Sequence, residues 1–482
     1  MMSDYNMLEP KDVFQYFKEI SDIPRGSGNT AAISEYLCRF AQEKGLPYEH
    51  DEIGNVMIRK AASAGYEDHE PVLLQGHVDM VCVKTEDSDH DFEKDPIALI
   101  AENDWLHADR TTLGGDDGIA VAYMLALLAD DSIPHPALET LFTVDEETGM
   151  YGAKALDPAW IKARKMINLD SEEEGIITTG CAGGVDVEAK LPVKRHGLKG
   201  LPVRILISGL HGGHSGSSIQ QPVASANKLM GRVLKALYDE LPVSLVDIYG
   251  GEKRNAIAVS SEAILLADEE DIQAIADLAG EMEDIFRREY RGADDEITIT
   301  CTCEEEMLVN AMDDDSARKI IDFLILVPHG VEKMNASIEG AVETSTNLGV
   351  IESEEDFFVG CSLTRSSVGS AKKMLADRIV TLTELLGGEA EVSGDYPAWE
   401  FKADSDLLTL VKETEKDITG IEPVVAITHG GLECGLISDS LPDMQIVSIG
   451  PEMKDIHTSN EMLSIPSVGK TWEILKEILR RM

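Results

Sequence analysis

Positive charge is scarce in this chain. Only 42 Lys and Arg stand against 89 Asp and Glu, a formal net charge of −47, and no basic patch or basic–aromatic pattern relieves it. Such a surface repels phosphate backbones, which excludes nucleic-acid binding. Long apolar runs are also missing: no stretch approaches the ~20 uncharged residues that span a bilayer. The opening Met-Met-Ser-Asp-Tyr-Asn-Met-Leu-Glu-Pro has neither the basic nor the apolar region of a secretory signal. The expectation is a soluble, cytoplasmic protein without a membrane partner. Cysteine is sparse and scattered, at Cys38, Cys82, Cys181, Cys301, Cys303, Cys361 and Cys434. An odd set without CxxC spacing excludes a disulfide framework and a thiolate zinc site. Cys301 and Cys303 lie in the alternating run Ile-Thr-Ile-Thr-Cys-Thr-Cys, which reads as a strand.

Apolar residues are plentiful, at 43% of 482 positions. That supports large cores in two or three domains, since single cores stop growing near ~250–300 residues. Amphipathic helices are expected at 10–20 and 30–44, followed by strands at 53–59 and 71–76, a helix at 118–129, a strand at 139–144, a short helix at 150–156 and a strand at 165–169. Strands alternating with helices predict an α/β sheet with helices on its faces. From about 186 the texture changes. Strands at 203–208, 256–266 and 296–303 alternate with helices at 222–241, the latter begun by Gln221-Pro222, and 270–289. A second set follows: helix 315–327, strands 346–351 and 357–364, helix 371–387 and strand 389–393. This predicts two similar α+β units in tandem. The earlier style returns with helix 404–418, strands 422–427 and 444–449, and helix 468–481. The simplest organisation is a catalytic α/β domain formed by 1–186 and 396–482, interrupted by an inserted domain at 187–395.

Five segments carry candidate chemistry. His77 and Asp79 close the apolar run Val72-Leu73-Leu74 and stand two residues apart, on one side of an extended backbone. Asp116 and Asp117 sit in Leu-Gly-Gly-Asp-Asp-Gly directly before an apolar helix, where carboxylates are favoured electrostatically; a plain helix cap is the alternative. Glu146 and Glu147 end a buried strand. Adjacent strand residues point oppositely, so one glutamate can hold a cation while the other accepts a proton; a solvated acidic turn is the alternative. Asp170 ends another strand, and His457 follows Gln445–Ile449. Two imidazoles and several carboxylates at strand ends fit two divalent ions bridged by one carboxylate. Ligation by nitrogen and oxygen without thiolate suits zinc, with manganese or cobalt as substitutes. Such a pair, ~3.5–4 Å apart, acidifies a water and polarises a carbonyl.

Taken in order, Gly-His-Val-Asp (76–79), Gly-Gly-Asp-Asp-Gly (114–118), Asp-Glu-Glu-Thr-Gly (145–149), Asn-Leu-Asp-Ser-Glu-Glu-Glu-Gly (168–175), His-Gly-Gly-His-Ser-Gly (211–216) and His-Gly-Gly-Leu-Glu-Cys-Gly (429–435) resemble the aminoacyl-histidine (Xaa-His) dipeptidases. These form a subgroup of the di-zinc metallopeptidase clan that also holds carnosinases and aminoacylases. The resemblance runs from about residue 8 to the C-terminus. It implies that His77 and Asp170 ligate one Zn2+, Glu147 and His457 the other, and that Asp116 bridges them. Glu146 would be the general base and Asp79 would orient the His77 ring. It also implies a non-proline cis bond between Asp116 and Asp117, with Asp117 standing where the family pattern has asparagine. In the inserted domain His214 would stabilise the oxyanion, and Asn255 and Arg365 would meet the substrate carboxylate, for which an arginine fork is suited. Glu433, after Gly430-Gly431, suits a free α-amino group. A homodimer is the family expectation.

The function this implies is metal-dependent hydrolysis of dipeptides of Xaa-His type, such as β-Ala-His, or of broader range. One alternative is an N-acyl amino-acid hydrolase with the same metals and no need for a substrate amine. Another is a catalytically silent binding protein, which would be expected to have lost a ligand or the base, whereas every such position is filled here.

Overall fold

The structure, a computed structural model, describes residues 5–482. The chain divides into two compact units: Met1–Gly180 with Trp399–Ile427 and Leu432–Met482, and Cys181–Ala398 with Thr428–Gly431.

The first unit is built on an eight-stranded mixed sheet. Its strands run in the order Tyr48–His50, Val56–Lys60, Leu138–Thr143, Val72–His77, Lys165–Asn168, Gln445–Ser448, Ile176–Cys181 and Val424–Thr428. The four central strands, from Leu138–Thr143 to Gln445–Ser448, are mutually parallel. Val72–His77 and Leu138–Thr143 are buried at every position, which is why they read as apolar runs without alternation. Helix Lys11–Ser21 buries Val13, Phe14, Phe17 and Ile20, one face at helical spacing. Helix Gly115–Ala129 is apolar around its whole circumference and buried from Gly115 to Leu128, so it lies inside the core. A small four-stranded sheet joins Met453–Lys454, Met462–Ser464, Trp105–Ala108 and Leu99–Glu102.

The second unit is built on a ten-stranded antiparallel sheet whose main path runs in two halves, with Met307–Met312 added beside Arg195–Ser208 and Gly330–Met334 beside Val342–Ser353. Thr298–Cys303, Arg195–Ser208, Ser261–Ala267 and Ser244–Gly250 form the first; Val342–Ser353, Phe357–Ser366, Gly183–Pro192 and Glu389–Tyr396 form the second. They meet where Tyr249 and Gly250 pair with Glu352 and Ile351. The helices are Ala226–Glu240, Ile272–Glu289, Asp314–Leu326 and Gly369–Leu385, and they share one apolar cluster with the sheet.

Two sequence expectations shift here. The helix expected from Gln221-Pro222 begins only at Ala226, because Ala224 N is drawn to Asp294 Oδ2 at 2.7 Å. The strand expected over 256–266 is two: Ala256–Ile257 pairs with Gly213–His214, and Ser261–Ala267 joins the main sheet. Among the described residues no helix is long and apolar enough to cross a membrane.

Candidate metal centre

Parallel strands share the direction of their C-terminal ends, and the crevice at that edge is where open α/β sheets place their chemistry. Here Val72–His77 leads into Asp79, Leu138–Thr143 into Glu146 and Glu147, and Lys165–Asn168 into Asp170. Gln445–Ser448 leads into the hairpin of Met453–Lys454 and Met462–Ser464, whose tip holds His457 at φ 61°. Asp116 enters from the first turn of the buried helix Gly115–Ala129.

These side chains converge on Asp116. Its Oδ1 lies 3.0 Å from His77 Nε2 and its Oδ2 3.1 Å from His457 Nε2. His77 Nε2 is also 3.6 Å from Asp170 Oδ1, and His457 Nε2 is 3.0 Å from Glu147 Oε1. Two ligand groups result, His77–Asp116–Asp170 and Asp116–Glu147–His457, each with its donor atoms within 4.8 Å of one another and both using Asp116. The peptide bond between Asp116 and Asp117 is cis.

Asp79 faces the other side of the His77 ring, its Oδ1 3.5 Å from Nδ1. The same carboxylate accepts the backbone N–H of Glu146 at 3.0 Å and of Glu147 at 3.3 Å, and the Ser27 hydroxyl at 2.8 Å. The two glutamates thus lie beyond the strand, and strand alternation does not set them as expected: the strand ends at Thr143, and Asp145 turns the chain at φ 54° before them.

The electrostatics are those of crowded, buried acids. Burial works against a charged His77, but its bonds to Asp116, Asp170 and Asp79 hold it well above its usual range. His457, bonded to Asp116 and Glu147, is pushed up to about 10. Burial would raise Asp116, yet His457 and His77 hold it below the usual carboxylate range. Burial, opposed by His77 and reinforced by Asp170 and Glu433, pushes Glu146 up to about 9. Burial likewise takes Asp170 to about 6 and Glu172 to about 8. Asp117 is pushed well up by burial and by Asp170; its Oδ2 accepts from His77 N at 3.2 Å, and its Oδ1 has no partner among the described residues. So many acids enclosed together are stabilised by a cation. The donor set, imidazole and carboxylate without thiolate, fits hard or borderline divalent metals.

Glu433 opens helix Glu433–Ser440 and is fully enclosed. Its Oε2 accepts Gln75 Nε2 and Thr143 Oγ1, each at 2.6 Å, while Oε1 has no partner among the described residues. Burial pushes it up to about 7.

The remaining expected residues lie in the second unit. The ladder of Gly213–His214 with Ala256–Ile257 pairs His214 with Ala256, and Ser215 N donates to Asn255 O at 2.9 Å, so His214 and Asn255 are neighbours. His214 Nδ1 accepts from Gly216 N at 3.2 Å, and burial together with Arg365 lowers its pKa. Arg365 is buried and donates to Tyr396 OH at 3.0 Å. Sequence reasoning passed over Tyr396, and also His429, whose Nε2 lies 2.7 Å from Ser345 Oγ and whose pKa burial and Arg365 take down to about 4. It also passed over Arg25, Ser27 and Glu461. For His429 a signal was present, the His-Gly-Gly run before Glu433.

Parallel strands gather imidazoles and carboxylates around one shared aspartate, and the family that the chain matches makes the protein a metallopeptidase, a peptide-bond hydrolase. Residues 73–481 match peptidase family M20/M25/M40, and the chain belongs to that family. It is 37% identical to the cytosol non-specific dipeptidase of Escherichia coli over 99% of each chain. Its structure is similar to the crystal structure of aminoacylhistidine dipeptidase from Vibrio alginolyticus, with a TM-score of 0.93 and 35% identity, over 100% of this chain and 98% of that one. A tripeptidase from Staphylococcus aureus shares the fold at TM-score 0.56 and 17% identity, over 98% of this chain and 99% of that one.

Proposed function

We propose that the protein hydrolyses dipeptides, Xaa-His substrates such as β-Ala-His among them, at a pair of Zn2+ ions that Mn2+ or Co2+ can replace. The observation that carries this reading is Asp116 between two imidazoles, one oxygen toward each, inside two overlapping ligand groups. The names of the relatives support the substrate class. His77 and Asp170 would hold one ion, Glu147 and His457 the other, with Asp116 common to both. When bound, such a pair acidifies a water and polarises the scissile carbonyl.

The protein supplies the rest. Glu146, as the carboxylate, takes a proton from the attacking water and delivers it to the leaving amine, and the enclosure that raises its proton affinity favours the first transfer. Asp79 fixes the His77 ring and, through the backbone of Glu146 and Glu147, places base and ligand together. His214 donates to the developing oxyanion, and Arg365 and Asn255 bind the terminal carboxylate. The unpartnered Oε1 of Glu433 accepts the substrate ammonium, since a buried orphan oxygen in a native site is explained by a ligand. The segment 187–395 acts as a lid on a catalytic unit formed by 1–186 and 396–482, in a cytoplasmic homodimer.

The test is hydrolysis of β-Ala-His, Gly-His, Leu-Leu, a tripeptide and N-acetyl-methionine before chelation, after it, and after restoring Zn2+ or Mn2+. Metal-dependent cleavage confined to dipeptides is expected; cleavage of the acetylated substrate alone would reject the reading. Glu146→Gln is expected to lower kcat by about 10²–10⁴-fold while still binding metal.

A further inference from the structure

The loop that delivers Asp116 is held by two buried charges to which none of these roles applies. Glu461, 3% exposed, comes from the segment just beyond His457. Its Oε2 accepts Leu113 N at 2.7 Å and Gly114 N at 3.0 Å, and its Oε1 accepts Gly115 N at 2.7 Å and Asp116 N at 3.4 Å. Each oxygen takes two N–H groups, so the side chain serves only as an acceptor, as an ionised carboxylate does. These N–H groups belong to the kinked entry of helix Gly115–Ala129, where Asp116 and Asp117 depart from helical backbone angles and the N–H groups lack helical partners.

Arg25, 2% exposed, grips the same loop through its carbonyl. Its Nη2 donates to Gly114 O at 2.5 Å, and its Nη1 to Val78 O at 2.9 Å and Asp79 O at 3.3 Å. One guanidinium thereby ties the Asp116 loop to the loop of His77 and Asp79. Gly114 is required at this junction: its φ is +69°, and a Cβ there would lie 2.5 Å from Arg25 Nη2 and 2.8 Å from Met80 Sδ.

We propose that Glu461 and Arg25 are positioning residues of the metal centre, which hold the Asp116 peptide so that one carboxylate oxygen faces His77 and the other His457. The pair sets the shared ligand through its backbone, and Glu461 also couples the His457 hairpin to that loop. This rests on Asp116 being the ligand common to both ions.

The experiment titrates Co2+ into the chelated full-length protein, follows its visible absorption, and compares the parent with Glu461→Gln. The amide keeps the volume but turns an NH2 toward backbone N–H groups. Co2+ affinity is expected to fall by at least about tenfold, as for outer partners of metal ligands, with an altered spectrum and with kcat reduced more than KM. Tyr123→Phe is the control for stability alone. It removes the 2.9 Å bond to Val468 O on the same helix without touching the loop, and it should leave spectrum and affinity unchanged. An E461Q protein that binds Co2+ like the parent, with the parent's spectrum, would overturn the proposal whatever its thermal midpoint. If E461Q does not fold, Arg25→Lys, which keeps the charge but loses the fork, carries the same measurement to the same two outcomes. A parent that binds no Co2+ would instead remove the dipeptidase reading beneath it.

Discussion

A proton would compete with a bound metal for each imidazole of this site. His457 is pushed up to about 10 by its bonds to Asp116 and Glu147, and His77 is held well above its usual range by three carboxylates. Without metal, His457 therefore favours its protonated form at neutral pH and His77 is shifted the same way, and a nitrogen must lose its proton before it can coordinate a metal. The sign follows directly: apparent metal affinity rises with pH until about 10, where His457 gives up its proton, and binding below that pH releases protons. Calorimetric titration of Zn2+ in buffers of different ionisation enthalpy should show that release near pH 7. A pH-independent affinity with no proton release would mean that the rings are not ligands. The same residues show why roles were only partly readable from sequence. The pairing of His77 with Asp79 was visible in their spacing, but the contacts of Asp79 with the backbone of Glu146 and Glu147 join positions 67 and 68 apart, which no local pattern reports.

At the scale of elements, the site depends on a strand and a helix that approach unusually closely. Gly76, one residue before His77 on the buried strand Val72–His77, has no room for a side chain: a Cβ there would lie 2.5 Å from Asp117 Oδ2 and 2.6 Å from Ala120 Cβ. Gly76→Ala would push the helix Gly115–Ala129 and its Asp116 away from His77. A loss of about 1–3 kcal/mol, typical of overpacking, is expected in denaturant unfolding, together with reduced metal content in the folded protein. A parent-like midpoint and metal content would show that the contact relaxes freely. The helix itself was expected from its apolar run, and so was the Val72–His77 strand. Strands Gly183–Pro192 and Ser244–Gly250 were not anticipated, although Gly183–Pro192 alternates buried and partly exposed residues. The first pairs with Phe357–Ser366, remote in sequence, whereas the second pairs with Ser261–Ala267 shortly after it and with the remote Val342–Ser353.

Over the whole molecule the dominant number is the net charge of −47. Such self-repulsion opposes the compact state, and salt screens it: the Debye length falls from about 30 Å at 0.01 M to about 3 Å at 1 M. The thermal midpoint should rise as KCl is increased over that range, with most of the gain at the lower end. A midpoint that falls or stays flat would show that local ion pairs, such as Arg232 with Glu289 at 2.9 Å, already offset the repulsion.

What the sequence determined by itself was the inventory and its order: buried strands from apolar runs, helices from periodicity, and candidate metal ligands after the strands. These are local properties, because burial on both faces and helical spacing leave their mark in adjacent residues. The tertiary structure alone decided how Asp79 gathers the backbone of Glu146 and Glu147 and what holds the Asp116 loop. Those depend on parallel strands brought side by side from positions 72, 138, 165 and 445. They also depend on a carboxylate and a guanidinium, Glu461 and Arg25, that reach the loop across 345 and 89 residues. Contacts at such separations follow from folding, where burial obliges each polar group to find a partner wherever the chain has carried one.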